Sequence, residues 1–177
     1  GKESITSLQN KNLINFQIKD YYRKPDELYD TNKKEIVLNH EQKKAVEKIT
    51  SEMFEENKKP YMIHGVTGSG KTEVYMEIID YALKQGLDSI FLVPEISLTP
   101  QTISRLKNRF GNIVGVFHSK LSEGEKHDVF KAIKQGKIRI LIGARSALFA
   151  PFNSLGVIII DEFHEGAYKS EMNPKFS

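Results

Sequence analysis

Residues 65 to 72 read GVTGSGKT, and this stretch decides the fold. It matches the pattern GxxxxGK[ST] at every fixed position, between a β-rich run at residues 61–64 and a helix-period stretch at residues 71–85. Glycines let the backbone wrap closely around a phosphate, and the helix that follows directs its positive end at the same anion. A glycine-rich turn with a surface lysine is disfavoured, because the flanking strand and helix stand where a P-loop needs them. The stretch therefore predicts a P-loop that binds ATP with Mg²⁺.

The P-loop also predicts which residues contact the nucleotide. Lys71 is expected to reach the β- and γ-phosphates, and the Thr72 hydroxyl is expected to bind Mg²⁺. The backbone N–H groups of the loop are expected to point at the phosphates. The predicted nucleotide contacts are Gly65, Val66, Thr67, Gly68, Ser69, Gly70, Lys71 and Thr72.

From residue 60 onward, short β-rich runs alternate with helix-period stretches at a nearly regular interval. Such alternation is typical of βα units and a parallel sheet. The sequence therefore predicts a doubly wound α/β fold. The predicted strands are residues 61–64, 89–93, 113–117, 138–142 and 157–160.

Local signals predict where the helices begin and end. An N-cap side chain, a proline in the first turn or a glycine past the last turn marks each boundary. These signals are Asn39 before a first helix, Gly86 after the P-loop helix, Thr99 and Pro100 before a third, and the Ser122 and Glu125 capping box and Gly136 around a fourth.

A second acidic site follows the last predicted strand. Residues 157 to 164 read VIIIDEFH, an apolar strand that ends in two acids, as a Walker B element does. We expect this buried strand to place Asp161 beside the P-loop, where it can hold Mg²⁺. Glu162 is placed to orient or deprotonate the water that attacks the γ-phosphorus. In isolation Asp161 could equally N-cap the next segment, but an intact P-loop about 90 residues upstream favours the catalytic interpretation.

Gln42, in the run LNHEQ at residues 38–42, is a candidate for reading the base. A glutamine amide can form two hydrogen bonds with adenine, through N6 and N7. Gln42 also stands three residues after Asn39, where it would complete a capping box. Both interpretations stay open, and one residue can serve both.

Composition excludes several classes of protein. Of the 177 residues, 39% are hydrophobic and 28% are charged, which is typical of a chain that folds. A net charge of +3 permits a nucleic-acid partner without indicating one. The chain has no cysteines, which excludes disulfides, Cys-ligated zinc and a thiol nucleophile within it, and its five histidines lack metal-ligand spacing. The longest apolar runs are too short to span a bilayer, so we expect a cytoplasmic protein.

Two parts of the chain differ in character. Residues 1–37 hold a short helical run, a polar and aromatic stretch and a charged tether, and we interpret them as the tail of a preceding domain plus a linker. Residues 38–177 hold the whole α/β pattern and are expected to form one principal core. The chain begins with Gly1 rather than Met, and the pattern is still building at Ser177, so we expect a piece of a longer protein.

Five blocks of sequence, in order, resemble one known family. They are GVTGSGKTEVY from residue 65, FLVPEISLTPQT at residues 91–102, HSKLSEGE at 118–125, GARSALFAPF at 143–152 and DEFHEGAYK at 161–169. From about residue 38 to its end, the chain is similar to the first motor lobe of the PriA family, the primosomal protein N′ helicases of bacterial replication restart. Residues 1–25 resemble the last helix and wing of the winged-helix DNA-binding domain that precedes the helicase in that family.

The resemblance implies a RecA-like P-loop NTPase lobe of a superfamily 2, DExH-type DNA helicase that translocates 3′ to 5′ and restarts abandoned forks. It implies that Gln42 reads adenine and that His164 couples hydrolysis to DNA movement. The implied partners are single-stranded and forked DNA, primosome proteins and the single-stranded-DNA-binding protein, in a bacterial cytoplasm at the nucleoid. The loops implied to touch the single-strand backbone hold Pro94, Thr99, Ala144, Arg145 and Ser146, and Tyr168 begins an aromatic-rich coupling loop.

Physical reasoning agrees with part of this assignment. Loops at the carboxyl ends of parallel strands form the ligand edge of such sheets, and Arg145 follows a predicted strand. Without the resemblance, a solvated surface arginine remains an alternative for Arg145, and an ordinary packed or surface tyrosine remains one for Tyr168.

The chain departs from the family pattern in two ways. Where the family usually has DEEH, this chain has Phe163 in place of the second glutamate, so the full motif that the coupling through His164 is inferred from is not matched. The chain also ends before the third helicase motif and the second lobe, which in the family supplies an arginine finger and carries a Cys-rich zinc insertion. We therefore expect zinc only in that second-lobe region. We also expect this lobe by itself to bind nucleotide weakly and to hydrolyse it poorly.

Other functions are less compatible with the sequence. A GTPase requires an NKxD element, and residues 32–35 read NKKE instead. The LSGGQ run of a transporter ATPase is not found in the chain. The remaining alternative is a DNA-binding or partner-docking module whose P-loop does not hydrolyse ATP, for which residues 1–37 would be essential.

Overall fold

The computed structural model describes residues 37–56, 59–66 and 68–162, which contain four helices, four strands and three short 3-10 turns. No helix in these ranges combines the length and apolar character that crossing a bilayer requires. The helices are α1 His40–Ser51, α2 Lys71–Lys84, α3 Pro100–Phe110 and α4 Glu123–Lys134. The strands are β1 Asp88–Leu92, β2 Val114–Phe117, β3 Ile140–Gly143 and β4 Leu155–Ile160, and the 3-10 turns are Glu95–Ser97, Gly111–Ile113 and Arg145–Phe149.

The four strands form one parallel sheet in the order β2, β3, β1, β4. Helix α3 connects β1 to β2, and α4 connects β2 to β3, which are the crossovers that parallel strands require. Ser89 of β1 pairs with Ile140 of β3 on one side and with Val157 of β4 on the other. The predicted α/β fold, a parallel sheet flanked by helices, is confirmed.

Alternate residues of β1 pack on opposite faces of the sheet, as the two-residue period of a strand requires. Ile90 and Leu92 belong to a core cluster with α4, whereas Phe91 and Val93 belong to a cluster with α2 and α3. None of these four side chains is more than 2% exposed. Burying each one stabilises the fold by about 1.5–3 kcal/mol. This burial holds α2, the helix that follows the P-loop, against the centre of the sheet.

The side-chain caps that the sequence predicts are present at the helix boundaries. The caps are Asn39 on α1, Thr99 on α3 and Ser122 on α4, and those on α1 and α4 are complete capping boxes. Gly86 and Gly136 follow α2 and α4 with φ of +79° and +68°, which a glycine adopts without strain. The predicted helix boundaries are therefore confirmed to within one or two residues.

The predicted strand at residues 61–64 is not formed, and this prediction was wrong. The segment carries no strand pairing, and Met62 is 82% exposed. Its β-rich composition gives only a local preference, whereas a strand exists through hydrogen bonds with a neighbour. None of the strands in the described part of the chain pairs with it. The P-loop is therefore preceded by an irregular segment.

The expectation that the last strand is buried was also wrong. Strand β4 pairs with β1 on one side only, and it forms an edge of the sheet within the described ranges. Ile158 and Ile160 are 46% and 41% exposed, whereas Ile159 is 8% exposed. An apolar run reveals the strand but not its position in the sheet, because central and edge strands can share the same composition.

Two ion pairs join α2 to α3. Arg105 contacts Glu73 at 2.6 Å, and Arg109 contacts Glu77 at 2.7 Å, so the pairs recur one turn apart on both helices. Each pair is partly solvated, and such pairs are worth about 0–1 kcal/mol. Their main effect is geometric, because they hold the helix after the P-loop beside the helix that follows the turn Glu95–Ser97.

Candidate nucleotide-binding site

Two glycines in left-handed conformations shape the loop before α2. Gly68 has φ of +83°, and Gly70, the N-cap of α2, has φ of +80°. A side chain would be strained at these angles, and a Cβ on Gly70 would lie 2.2 Å from Nε2 of Gln42. The Ser69 N–H donates to the Val66 carbonyl at 3.1 Å and closes the turn. The loop thus leads directly into the positive end of a 14-residue helix, which is a suitable cradle for a phosphate.

The Lys71 side chain reaches back across this loop. Its Nζ donates to the Gly65 carbonyl at 2.6 Å and to the Val66 carbonyl at 3.0 Å. Hydrogen bonds from an ammonium to a phosphate are stronger than bonds to neutral carbonyls. A phosphate entering the loop would therefore compete well for the ammonium. Thr72, which follows in the first turn of α2, is half-buried and lines the same cleft.

Gln42 ties α1 to the P-loop. Its Oε1 accepts from the Asn39 N–H at 2.8 Å, and its own N–H donates to Asn39 Oδ1 at 2.9 Å, so the capping box is confirmed. On the other side, Gln42 Nε2 donates to the carbonyls of Ser69 and Gly70 at 3.1 and 3.4 Å. Both ends of the amide are engaged, and the adenine contact stays a prediction.

The two acids at the end of β4 have different partners. The Asp161 N–H donates to the Leu92 carbonyl at 2.9 Å, which continues the pairing of β4 with β1. Asp161 Oδ1 accepts from the Tyr75 hydroxyl at 3.4 Å and from the Glu162 N–H at 3.1 Å. Glu162 Oε2 instead accepts from the Ser97 hydroxyl at 2.7 Å. Asp161 is therefore linked to the helix that follows the P-loop, and Glu162 to the turn that follows β1.

The P-loop and the acid pair line one open cleft of about 2030 Å³. The cleft is larger than a usual ligand pocket of roughly 300–1,000 Å³. It extends along the outer edge of β4, from Gly156 to Ile160, as far as the segment before the P-loop. The Thr72 hydroxyl and the Asp161 carboxylate both line it, and such oxygen ligands suit Mg²⁺. Together with the loop around Lys71, these groups fit a magnesium-bound triphosphate.

Tyr75 lies one helical turn after Lys71, in the lining of the cleft, and is only 7% exposed. Burial, together with the nearby Asp161 carboxylate, raises the pKa of Tyr75 from 10.0 to about 12. The folded state thus holds the phenolic proton more tightly than the unfolded state does. The resulting stabilisation is present in full below pH 10 and is lost as the pH rises from 10 to 12.

We expect Tyr75→Phe to reduce the loss of stability at alkaline pH. Phenylalanine has no proton to release, so its free energy of unfolding should fall by ~2 kcal/mol less than that of the wild type between pH 10 and 12. Urea denaturation at intervals of half a pH unit measures this difference. Tyr75→Phe and wild-type curves with equal slopes across this range would contradict the expectation.

The residues that the resemblance implies to touch single-stranded DNA lie at the carboxyl ends of the parallel strands. The Val93 N–H donates to the Gly143 carbonyl at 3.0 Å, so the chain leaves β1 and β3 side by side. The segments after these strands carry exposed side chains in Thr99, Arg145 and Ser146. Pro94 and Ala144 are buried instead, so their contribution to a contact would come from the backbone. The structure places these residues after two neighbouring strands, and their contact with DNA stays a prediction.

Four residues that the sequence singles out lie outside the described ranges. They are Thr67 in the P-loop, and Phe163, His164 and Tyr168 after the acid pair. Residues 1–36, with the resemblance to a winged helix, lie outside as well. Their roles stay predictions.

Two residues of the site were not identified from sequence. Tyr75 shares a helix face with Lys71, and the spacing of four residues was the one available signal. Ser97 lies 65 residues from Glu162, and nothing in the sequence relates the two positions. Such contacts are created by strand pairing, which residue patterns do not specify.

The family model described as "Type III restriction enzyme, res subunit" matches residues 35–175, which includes the P-loop and the acid pair. The chain belongs to this family. The match covers most of the chain, and the division of the chain after residue 37 stays a prediction.

Curated relatives support the resemblance to the PriA family. The chain is 45% identical to the replication restart protein PriA of Bacillus subtilis (strain 168) over 175 residues, which is 98% of this chain and 22% of that protein. It is 49% identical to PriA of Chlamydia pneumoniae over 137 residues, which is 77% of this chain and 18% of that protein. The chain thus spans about a fifth of the length of these relatives. The similarity to PriA that the five sequence blocks indicate is confirmed.

Among solved structures, the fold is similar to that of RecG bound to a three-way DNA junction. The TM-score is 0.65 at 28% sequence identity, over 78% of this chain and 19% of the RecG chain. With the parallel sheet and its flanking helices, this likeness confirms the RecA-like fold class. The chain is therefore a motor lobe of the helicase type.

Proposed function

We propose that this chain is the ATP-binding lobe of an ATP-driven DNA helicase that moves 3′ to 5′ and restarts stalled replication forks. One observation carries the proposal: the P-loop and the acid pair of β4 line the same cleft, beside the edge where the parallel strands end. Replication restart is part of the proposal because the relatives carry it in their names. DNA is part of the proposal because the similar solved structure, RecG, was bound to a DNA junction.

In this proposal each part of the cleft has a separate role. The P-loop N–H groups and the Lys71 ammonium bind the phosphates, while Thr72 and Asp161 hold Mg²⁺. Bound MgATP supplies a phosphoryl group whose transfer to water releases the energy for movement. Glu162 orients the attacking water and accepts its proton. Gln42 reads adenine, and His164 connects hydrolysis to DNA movement.

DNA would bind at the carboxyl ends of the strands, on the segments that follow β1 and β3. Exposed Thr99, Arg145 and Ser146 would contact the backbone of a single strand, which makes binding independent of base sequence. Tyr168 would begin the loop that connects this contact to the nucleotide. Forked DNA, primosome proteins and the single-stranded-DNA-binding protein are the proposed partners, at the nucleoid of a bacterial cytoplasm.

We further propose that a longer protein carries this lobe and completes the site. A second lobe would supply an arginine finger for the charge that develops on the transferred phosphoryl group. Zinc would be bound in that second-lobe region. Residues 1–37 would be the tail of a winged-helix domain and a linker. This lobe by itself would then bind nucleotide weakly and hydrolyse it slowly.

The first test is the melting temperature of this chain with MgATP, with MgGTP and without nucleotide. A ligand that binds only the folded state raises the melting temperature. We expect MgATP to raise it and MgGTP to have a smaller effect. Lys71→Ala should abolish the ATP effect, because this ammonium is the one observed within the loop.

Lys134→Ala is the matched control, because Lys134 is an exposed lysine in the last turn of α4, on the other face of the sheet. This variant should keep the full ATP effect. An equal response to MgGTP, or an ATP response that survives in Lys71→Ala, would contradict the assigned nucleotide site. No response to either nucleotide would favour the alternative of a DNA-binding or partner-docking module with a P-loop that does not hydrolyse ATP.

A further inference from the structure

Glu162 follows β4, and its carboxylate is held by a residue that follows a different strand, β1. The Ser97 hydroxyl donates to Glu162 Oε2 at 2.7 Å, and Ser97 is the last residue of the 3-10 turn Glu95–Ser97. Glu162 has φ of +50°, and among the described residues it is the one non-glycine with positive φ. Such a backbone costs about 1–3 kcal/mol and persists where surrounding contacts maintain it. The bond from Ser97 is one such contact.

The sheet brings Ser97 and Glu162 together. Leu92 and Ile160, the last residues of β1 and β4, pair in parallel register, so the two strands end side by side. Ser97 is then fixed by its own backbone, because its N–H donates to the Pro94 carbonyl at 2.9 Å and its carbonyl accepts from the Thr102 hydroxyl at 3.1 Å. The hydroxyl thus belongs to a turn with defined geometry.

The same turn has an outer side that a ligand can reach. Ile96 is 86% exposed, and Thr99 beyond it is exposed as well. The turn therefore presents Ile96 to solvent on one side and Ser97 to Glu162 on the other. Ile96 and Ser97 are consecutive residues of this three-residue turn, so a ligand that displaces the backbone at Ile96 also displaces Ser97.

We propose that Ser97 is a positioning residue that restrains Glu162 until a nucleic-acid strand engages the turn. The carboxylate oxygen bound to Ser97 is directed at the turn and is not available to a water at the phosphate. A strand pressing on Ile96 and Thr99 shifts the turn, breaks the bond from Ser97 and frees Glu162 to act on water. Strand binding thereby increases ATP turnover. This inference rests on the proposed function of the cleft.

The test is steady-state ATP turnover of the complete protein, with and without single-stranded DNA. We expect Ser97→Ala to raise the turnover without DNA by roughly 3- to 10-fold, the rate equivalent of one exposed hydrogen bond. Turnover with DNA and the KM for ATP should stay near the wild-type values, so the stimulation ratio falls. Ser97→Thr keeps a hydroxyl and should restore the low DNA-free rate.

Two further variants distinguish the effect of losing the Ser97 hydroxyl from the effect of a generally looser turn. Glu95→Gln weakens another contact of the turn, where the Glu95 carboxylate accepts from the Ser119 N–H at 3.3 Å, and leaves the Ser97 hydroxyl in place, so it should leave the stimulation ratio unchanged. Ser97→Ala combined with Glu162→Gln should lose the gain in DNA-free turnover, because the released group is absent.

Three results would overturn the inference. They are a DNA-free rate in Ser97→Ala equal to or below that of the wild type, the same increase in Glu95→Gln, or an increase that persists in the double variant. A wild type that shows no DNA-stimulated turnover would overturn the proposed function, and this inference with it. A stimulated wild type with an unresponsive Ser97→Ala would overturn this inference alone.

Discussion

Glu162→Gln is expected to lower the DNA-stimulated ATP turnover of the complete protein by at least about 100-fold, because proton transfer by a positioned side chain contributes about 10²–10⁴-fold. Glutamine has nearly the same shape as glutamate but does not accept a proton from water. The amide can still bond to the Ser97 hydroxyl, so the backbone turn at φ of +50° should persist. The loss should therefore appear in kcat and not in nucleotide binding.

Binding and turnover are measured separately in this experiment. The melting temperature in MgATP should rise in Glu162→Gln as it does in the wild type, because the P-loop and Lys71 are unchanged. Glu123→Gln is the matched control, because its side chain is 90% exposed at the start of α4. A Glu162→Gln variant that keeps turnover close to the wild type would show that another group acts on the water.

Phe91→Ala is expected to lower the free energy of unfolding of this chain by about 3–5 kcal/mol, the usual range for removing a buried aromatic side chain. Phe91 is 1% exposed at the centre of the sheet and belongs to the core cluster with α2 and α3. Its ring lies 5.8 Å from the Tyr75 ring, at an interplanar angle of 58°. Since small domains are stable by only about 5–15 kcal/mol, this loss is a large fraction of the total.

Urea denaturation of the chain measures this loss. Phe149→Ala removes the same side chain from a position that is 81% exposed, and its free energy of unfolding should stay within about 0.5 kcal/mol of the wild type. Equal effects of the two substitutions would show that the sheet does not have the core described here.

Most of the fold could be predicted from sequence because its signals are local. The caps at Asn39, Thr99 and Ser122 act over three residues, and the alternation of strands and helices indicates a parallel sheet. The two errors, at residues 61–64 and in β4, both concern which strands are neighbours. Strand pairing joins residues far apart in the chain, so composition alone does not determine it.

The candidate site likewise has features that could be predicted from sequence and contacts that could not. The P-loop could be found in sequence because its glycines and its lysine must follow one another at fixed spacing around one anion. Glu162 could be found as a candidate base, but its bond to Ser97 could not, because the two residues meet only when β1 and β4 pair. Tyr75 and Asp161 are likewise 86 residues apart and meet through the packing of α2 on the sheet.

By itself, the sequence predicted the class of site, since residues 65–72 match the phosphate-loop pattern between a strand-like run and a helix. It also determined the α/β architecture and the helix boundaries, which depend on contacts within a few residues. Only the tertiary structure decided that β4 is an edge strand, that Gln42 contacts the P-loop, and that Ser97 holds Glu162. The physical reason is that these contacts depend on the order and register of strands, which the whole core selects through burial on both faces of the sheet.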